Sequence, residues 1–210
     1  MFKKILIGLA VVVVLFLGFV ATRPSEFTLA RSTTISAPPD VVFAHINDFH
    51  EWNEWSPWDN VEGDDLKRTY TGPNSGVGAT YHWEGKMTGE GEMKITDSKP
   101  GEHVGIQLTF IKPFAAENTV DFELAKEGEG TKATWKMAGK NNFMSKLFGV
   151  FMSMDEMVGK DFDKGLADLK KHSEADAKKA AEEAAAAAKK AADEAAAAAA
   201  AAEATDAGTP

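Results

Sequence analysis

The sequence predicts an α+β domain in which a curved antiparallel sheet wraps around one long C-terminal helix, flanked by an N-terminal transmembrane helix and an Ala-rich helical tail. Three observations lead there. Apolar and polar residues alternate through a run of segments between about residues 79 and 137, the period of strands with one buried face. The period then lengthens: Met154, Val158, Phe162, Leu166 and Leu169 recur every three or four residues, the stripe of an amphipathic helix. Both chain ends have compositions foreign to a packed core, which assigns residues 1–25 to an anchor and short linker, 26–174 to one domain, and 175–210 to the tail.

Charge and composition remove several functions. The 210 residues carry a formal net charge of −9, and setting aside Lys3, Lys4 and Arg23 leaves −12 for everything after the first segment. A surface that acidic repels phosphate backbones, so nucleic acid is not an expected partner. With no cysteine in the chain, disulfides, thiolate catalysis and Cys-ligated zinc are excluded.

Residues 5–22 contain no charge and are dominated by Val, Leu, Ile and Phe, a stretch that as a helix just crosses a hydrocarbon core of roughly 30 Å. A cleaved signal peptide is the competing reading, but of the residue pairs available to a peptidase, which reads a small side chain at both positions, Phe19 with Ala21 fits poorly and Val20 with Thr22 weakly. Lys3 and Lys4 precede the segment and Arg23 follows it. The positive-inside rule then sets the N-terminus in the cytoplasm and the domain on the extracytoplasmic (periplasmic) side of a single-pass protein.

Residues 27–36 read as the first strand, closed by Ala37-Pro38-Pro39; Val42, Phe43, Ile46 and Phe49 then predict a short helix that begins at the prolines. Trp52, Trp55 and Trp58 follow in a stretch that Pro57 turns. They suit packing at the helix-to-strand corner, closure of one end of a cavity, or a membrane interface. The alternating segments come next: Ala79-Tyr81-Trp83, Met93-Ile95, Val104-Ile106-Leu108-Phe110, Val120-Phe122-Leu124 and Ala133-Trp135-Met137, separated by turns such as Pro100-Gly101 and Gly128-Glu129-Gly130. Residues 143–152 form an apolar loop or helical turn before the long helix, whose first turn Asp155 is placed to cap. A single helix over the apolar face of the sheet completes an α+β arrangement. From Ala175 onward Ala, Lys, Glu and Asp predict a solvated helix supported by the Lys178–Glu182 and Lys179–Glu183 pairs. It serves either as a spacer or partner-binding arm, or as a tail without specific contacts.

This order of elements, with particular residues, resembles the START-like (helix-grip) superfamily and within it the polyketide cyclase/dehydrase-like (SRPBCC) proteins. The residues that carry the resemblance are Ile35-Ser36-Ala37-Pro38-Pro39-Asp40-Val41-Val42-Phe43, Trp55-Ser56-Pro57-Trp58, the 78–83 segment ahead of Gly85, Gly130-Thr131 before Trp135, and Met154-Asp155 leading to Gly159, Phe162, Gly165 and Leu166. Membrane-anchored members with such a leader are a familiar variety. The resemblance implies a sheet gripping the C-terminal helix, with a cavity between them that takes hydrophobic molecules. It implies no particular reaction.

On that fold the expected walls of the cavity are Trp83, Met93, Ile106, Leu108, Phe110, Phe122, Trp135 and Met137 from the strands and Met154, Met157, Val158 and Phe162 from the helix. The same side chains suit a solid core equally well. Gly159 and Gly165 flank Phe162, and each costs about 1 kcal/mol in a helix, which points to close packing or to room for a ligand. The residues His45, Asp48, His50 and Glu51 form the one His–carboxylate cluster, without a tight metal-ligand spacing, so neither metal nor cofactor is expected. There is no Gly-x-Ser-x-Gly elbow and no phosphate loop; Tyr81 and Glu84 are the nearest acid–base candidates, and Glu84 falls on the outward phase. No catalytic residue is assigned. The expectation is a membrane-anchored domain that binds an apolar small molecule or lipid. A cyclase- or hydratase-like enzyme using the same cavity, and an interaction protein that recruits a protein partner through the Ala-rich tail, are the alternatives.

Overall fold

The computed structural model describes residues 2–59 and 61–206, with no side-chain description for residues 64 and 199–206; the last four residues of the predicted tail lie outside the described residues. An apolar helix, α1 (Phe2–Ala21), leads into β1 (Glu26–Ile35). Then come α2 (Pro39–Asn47), α3 (Trp52–Trp55), a 3₁₀ turn (Gly63–Asp65) and the strands β2 (Lys67–Thr71), β3 (Thr80–Glu84), β4 (Glu90–Lys99), β5 (His103–Lys112), β6 (Ala116–Glu127) and β7 (Gly130–Lys140). Two helices close the chain: α4 (Phe143–Phe148) and α5 (Met154–Asp206).

The seven strands form one antiparallel sheet in the order β1-β7-β6-β5-β4-β3-β2. The first strand therefore pairs with the last, Phe27 opposite Gly139 and Ile35 opposite Thr131, which brings α5 back over β1. Register shifts in β4 at Glu90/Gly91 and at Ile95/Asp97 bend the sheet, as bulges do, and give it a concave face. That face carries Leu29, Ile35, Tyr81, Trp83, Ile95, Ile106, Phe122, Ala133 and Trp135, all buried. From the other side α5 presents Phe162, Leu166 and Leu169, each at most 2% exposed. Alternation thus becomes one contiguous core of sheet, α2, α3 and α5.

The arrangement follows the sequence reading, with three differences. Trp52 to Trp55 are a turn of helix rather than part of a loop, and both indoles are buried. Strand β2 was not anticipated, because Arg68 and Tyr70 occupy its inner phase and leave no apolar alternation to read. The α5 N-terminus is capped by Ser153 rather than Asp155: Ser153 Oγ accepts from the Glu156 amide at 3.2 Å, and the Glu156 carboxylate accepts from the Ser153 amide at 2.8 Å. Asp155 instead binds Arg31 of β1. Helix α5 is unbroken over 53 residues, about 80 Å, so the Ala-rich segment continues the helix that packs on the sheet.

Candidate functional site

The antiparallel register gives the sheet two ends. One collects Ile35, the 128–129 and 100–102 turns, and α2. The other collects Glu26, Lys140, the 85–89 turn of β3–β4 and the 113–115 turn of β5–β6, together with α4 and the first turn of α5. The interior differs between them.

Toward the α2 end the space between sheet and helices is filled with rings. Trp135 stacks on Phe162 at 4.2 Å between centroids and on Phe122 at 5.0 Å, while Trp52, Trp55 and Trp58 meet it edge-on. The indole N–H groups of Trp52 and Trp55 donate to the carbonyls of Ile46 and His45 at 3.0 and 3.1 Å, which fixes both rings against α2. Gly165 lets α5 approach: a Cβ there would stand 2.7 Å from the Trp135 ring and 3.0 Å from Pro57. Close packing, not room for a ligand, is what that glycine provides. The three tryptophans therefore pack a corner, and Trp52 and Trp55 are far too buried to lie at a membrane interface.

At the other end the grip is open. A hollow of about 510 Å³ is bounded by Phe27 of β1, Phe114 of the β5–β6 turn, Phe148 of α4, Met152, and Met154 and Met157 of α5. Arg23 and Lys146 stand on its rim. This volume is in the range of small-molecule sites, and Met and Phe walls adapt to apolar shapes. Lys146 Nζ donates to Ser25 Oγ at 3.0 Å and to the Ala21 carbonyl at 3.4 Å, tying α4 to the end of α1.

Of the twelve side chains the sequence proposed as walls, Trp83, Met93, Ile106, Leu108, Phe122, Trp135, Met137 and Phe162 lie in the buried interior, and Phe110, Met154 and Val158 pack partly buried against it. Met157 is the one of the twelve that is largely exposed. It is 50% exposed, because three residues from Met154 a helix has turned some 300°, which moves Met157 off the buried stripe to the rim of the hollow. Only Met154 and Met157 of the twelve border the hollow. Phe27, Phe114, Phe148 and Met152 were not singled out. The irregular apolar stretch 143–152 and a phenylalanine directly after Pro113 in a turn were their only signals.

Polar groups inside the fold are mostly paired. Asp59, 4% exposed, accepts from Tyr81 Oη at 2.6 Å and from Arg68 Nε at 3.0 Å. Burial and the Asp59 carboxylate push the Tyr81 phenol above its ordinary pKa, so the group stays protonated and donating. Asp59 was not among the sequence candidates. The trio clamps the loop before β2 onto β2 and β3. Glu84 points outward and binds Lys67 at 3.1 Å. The His–carboxylate cluster divides: His50 pairs with Asp48 at 2.7 Å, whereas His45 faces Asp176 of α5 at 3.1 Å and Glu51 at 3.8 Å. His45, Glu51 and Glu54 each bring one ligand atom within 4.8 Å of the others. A second hollow of about 650 Å³ lies on the outer face of the sheet. Most of the residues that line it are polar or charged, with His103 held between Asp97 and Asp121 at 2.9 and 3.1 Å.

Residues 26–174 match the family described as polyketide cyclase / dehydrase and lipid transport. The fold is similar to several solved structures. Protein MLL2253 from Mesorhizobium loti superposes with a TM-score of 0.51 at 17% identity, over 70% of this chain and 98% of that one. A protein from Rhizobium leguminosarum gives 0.51 at 15% identity, over 71% and 95%, and protein CV1439 from Chromobacterium violaceum 0.50 at 15%, over 70% and 96%. At these identities the likeness concerns the fold alone. No curated protein matches the sequence.

Proposed function

Since the chain belongs to the polyketide cyclase / dehydrase and lipid transport family, we propose that it is a membrane-tethered binding module that holds an apolar small molecule or lipid at the open end of its sheet–helix grip. The observation that carries this reading is the 510 Å³ hollow between β1, α4 and the start of α5, with Phe and Met in its lining, beside a core whose rings pack on one another toward the α2 end. The tether is α1, which is long and apolar enough to cross a membrane, a description that a signal sequence also meets. Its length of 20 residues, about 30 Å, equals the thickness of a hydrocarbon core. Lys3 and Lys4 before α1 and Arg23 after it favour a cytoplasmic N-terminus with the domain on the far side. The binding reading is preferred to an enzymatic one because Asp59, Tyr81 and Arg68 are held in hydrogen bonds to one another and to backbone carbonyls of the loop before β2.

The test is native mass spectrometry of the full-length protein released from detergent micelles, followed by organic extraction. One apolar molecule should remain with each chain and be lost in Met154→Glu, while circular dichroism reports an intact fold. A bare wild-type chain overturns the proposal.

A further inference from the structure

The open end also concentrates the apolar surface of the domain. Among its described residues, every exposed large apolar side chain except Val61 and Val77 belongs to a segment at that end. The most exposed are Met87 of the β3–β4 turn at 77%, Phe151 at 76%, Phe114 at 64% and Phe148 at 53%. Scattered apolar residues need no explanation, but such a concentration marks an interaction surface.

Three observations identify what covers it. First, the surface surrounds the point where α1 joins the domain, since Glu26 and α4 are at the same end and Lys146 binds the last turn of α1. Secondly, Phe151 lies 6.3 Å from Phe16. Phe16 precedes Ala21 by five residues, about 7.5 Å along the helix axis. A helix just long enough to span the hydrocarbon core has no slack to draw Phe16 out into water, so Phe151 is held at a depth below the membrane boundary. Thirdly, Arg23, Lys86, Lys140 and Lys146 stand at this end beside the apolar groups, interspersed with Glu26, Glu84 and Glu90. The cations among them can meet headgroup phosphates above acyl chains.

We propose that this end of the domain is seated in the interface of the leaflet in which α1 ends, with the aromatic and Met side chains inserted, so that the hollow opens onto lipid rather than water. The inference rests on reading α1 as a retained anchor and the hollow as the binding mouth, and it names the ligand's source as the bilayer itself. Met154 and Phe27, lining residues of the hollow that pack against the core, would then meet an acyl or isoprenoid chain that rises from the leaflet without crossing water.

The chain has no cysteine, so single sites can be labelled in the full-length protein. An environment-sensitive NBD probe is attached at Phe114→Cys, Phe148→Cys or Phe151→Cys, and at Val77→Cys or Glu129→Cys on the opposite end, after reconstitution into vesicles containing phosphatidylglycerol. The first three should emit to the blue of the last two and be quenched several-fold more by lipids spin-labelled near the headgroup. Equal, water-like emission from all five overturns the proposal. A blue shift without lipid quenching also overturns it, because a second copy of the chain would then cover the surface. Intact mass reports separately whether α1 is retained. Probe insertion combined with a bare chain in the extraction experiment sinks the binding reading alone; a retained molecule combined with probes in water sinks only the docking.

Discussion

At the α2 end of the interior, Trp52, Trp55, Trp135 and Phe162 pack ring on ring and none is more than 2% exposed; at the opposite end Phe114, Phe148 and Met157 leave half or more of their surface uncovered. The side-chain classes are the same. The number of covering elements differs: α2, α3 and the middle of α5 converge on the concave face at the first end, whereas the second has only the short α4 and one turn of α5. The concave face of the sheet is buried, and the uncovered apolar surface lies at its end, around the hollow between β1, α4 and the start of α5.

The comparison breaks first at Trp135. Trp135→Ala should cost about 3–5 kcal/mol, the range for deleting a large buried aromatic. Trp135→Phe should cost much less. It keeps a ring against Phe162, and it removes a buried indole N–H that has no hydrogen-bond partner among the described residues, a burden of about 1–3 kcal/mol. Thermal unfolding followed by near-ultraviolet dichroism separates the two. If Trp135→Ala lowered stability by under 1 kcal/mol, the α2 end would not be the solid half of the molecule.

A smaller effect compares two glycines on one helix. A methyl group at Gly165 meets the Trp135 ring and Pro57, neither of which can swing away. Overpacking of about 1–3 kcal/mol then outweighs the gain of about 1 kcal/mol in helix propensity. A methyl group at Gly159 comes within 2.7 Å of Arg31 Nη2 and 3.2 Å of Asp155 Oδ1, the far ends of two mobile side chains. Their pair is exposed to solvent and contributes little, so the propensity gain offsets its disturbance. Gly165→Ala should lower the denaturation midpoint and Gly159→Ala should leave it level or raise it. Equal shifts would mean that α5 is no more tightly held at one end than at the other.

The solid half was legible in the sequence and the open half was not. Alternation through Ile106, Leu108, Phe122 and Trp135 and the stripe Val158-Phe162-Leu166 specify a face to be buried, and the period alone decides which residues share it. Whether a shared face closes on itself depends on curvature, here set by the register shifts in β4, and on distant covers such as α3. Neither has a local signature. Asp59 shows the same limit: nothing near it announces burial, because its partners Arg68 and Tyr81 lie nine and twenty-two residues away. Phe148 and Met152 sit in an apolar stretch without a period, and such a stretch states an affinity for apolar surroundings without saying which.

The smallest effect belongs to the open end and is controlled by pH. Glu62 accepts from the amides of Lys86, Met87 and Thr88 at 2.6–2.7 Å and from Thr88 Oγ1 at 2.8 Å, so one carboxylate holds the β3–β4 turn beside the exposed Met87. Those donors, the Thr88 amide foremost, lower its pKa from 4.5 to about 2. A group whose folded pKa is depressed stabilises the fold fully above its ordinary value, and that contribution disappears as pH falls through the depressed one. Wild type should therefore exceed Glu62→Gln in stability by a constant margin above pH 4.5. The margin should shrink below that pH and close near pH 2, with the near-ultraviolet signal of the tryptophan cluster unchanged between the two proteins. A margin that persisted at pH 2 would assign Glu62 a packing role rather than an electrostatic one. A change in the tryptophan signal would mean that the two ends of the interior do not respond independently.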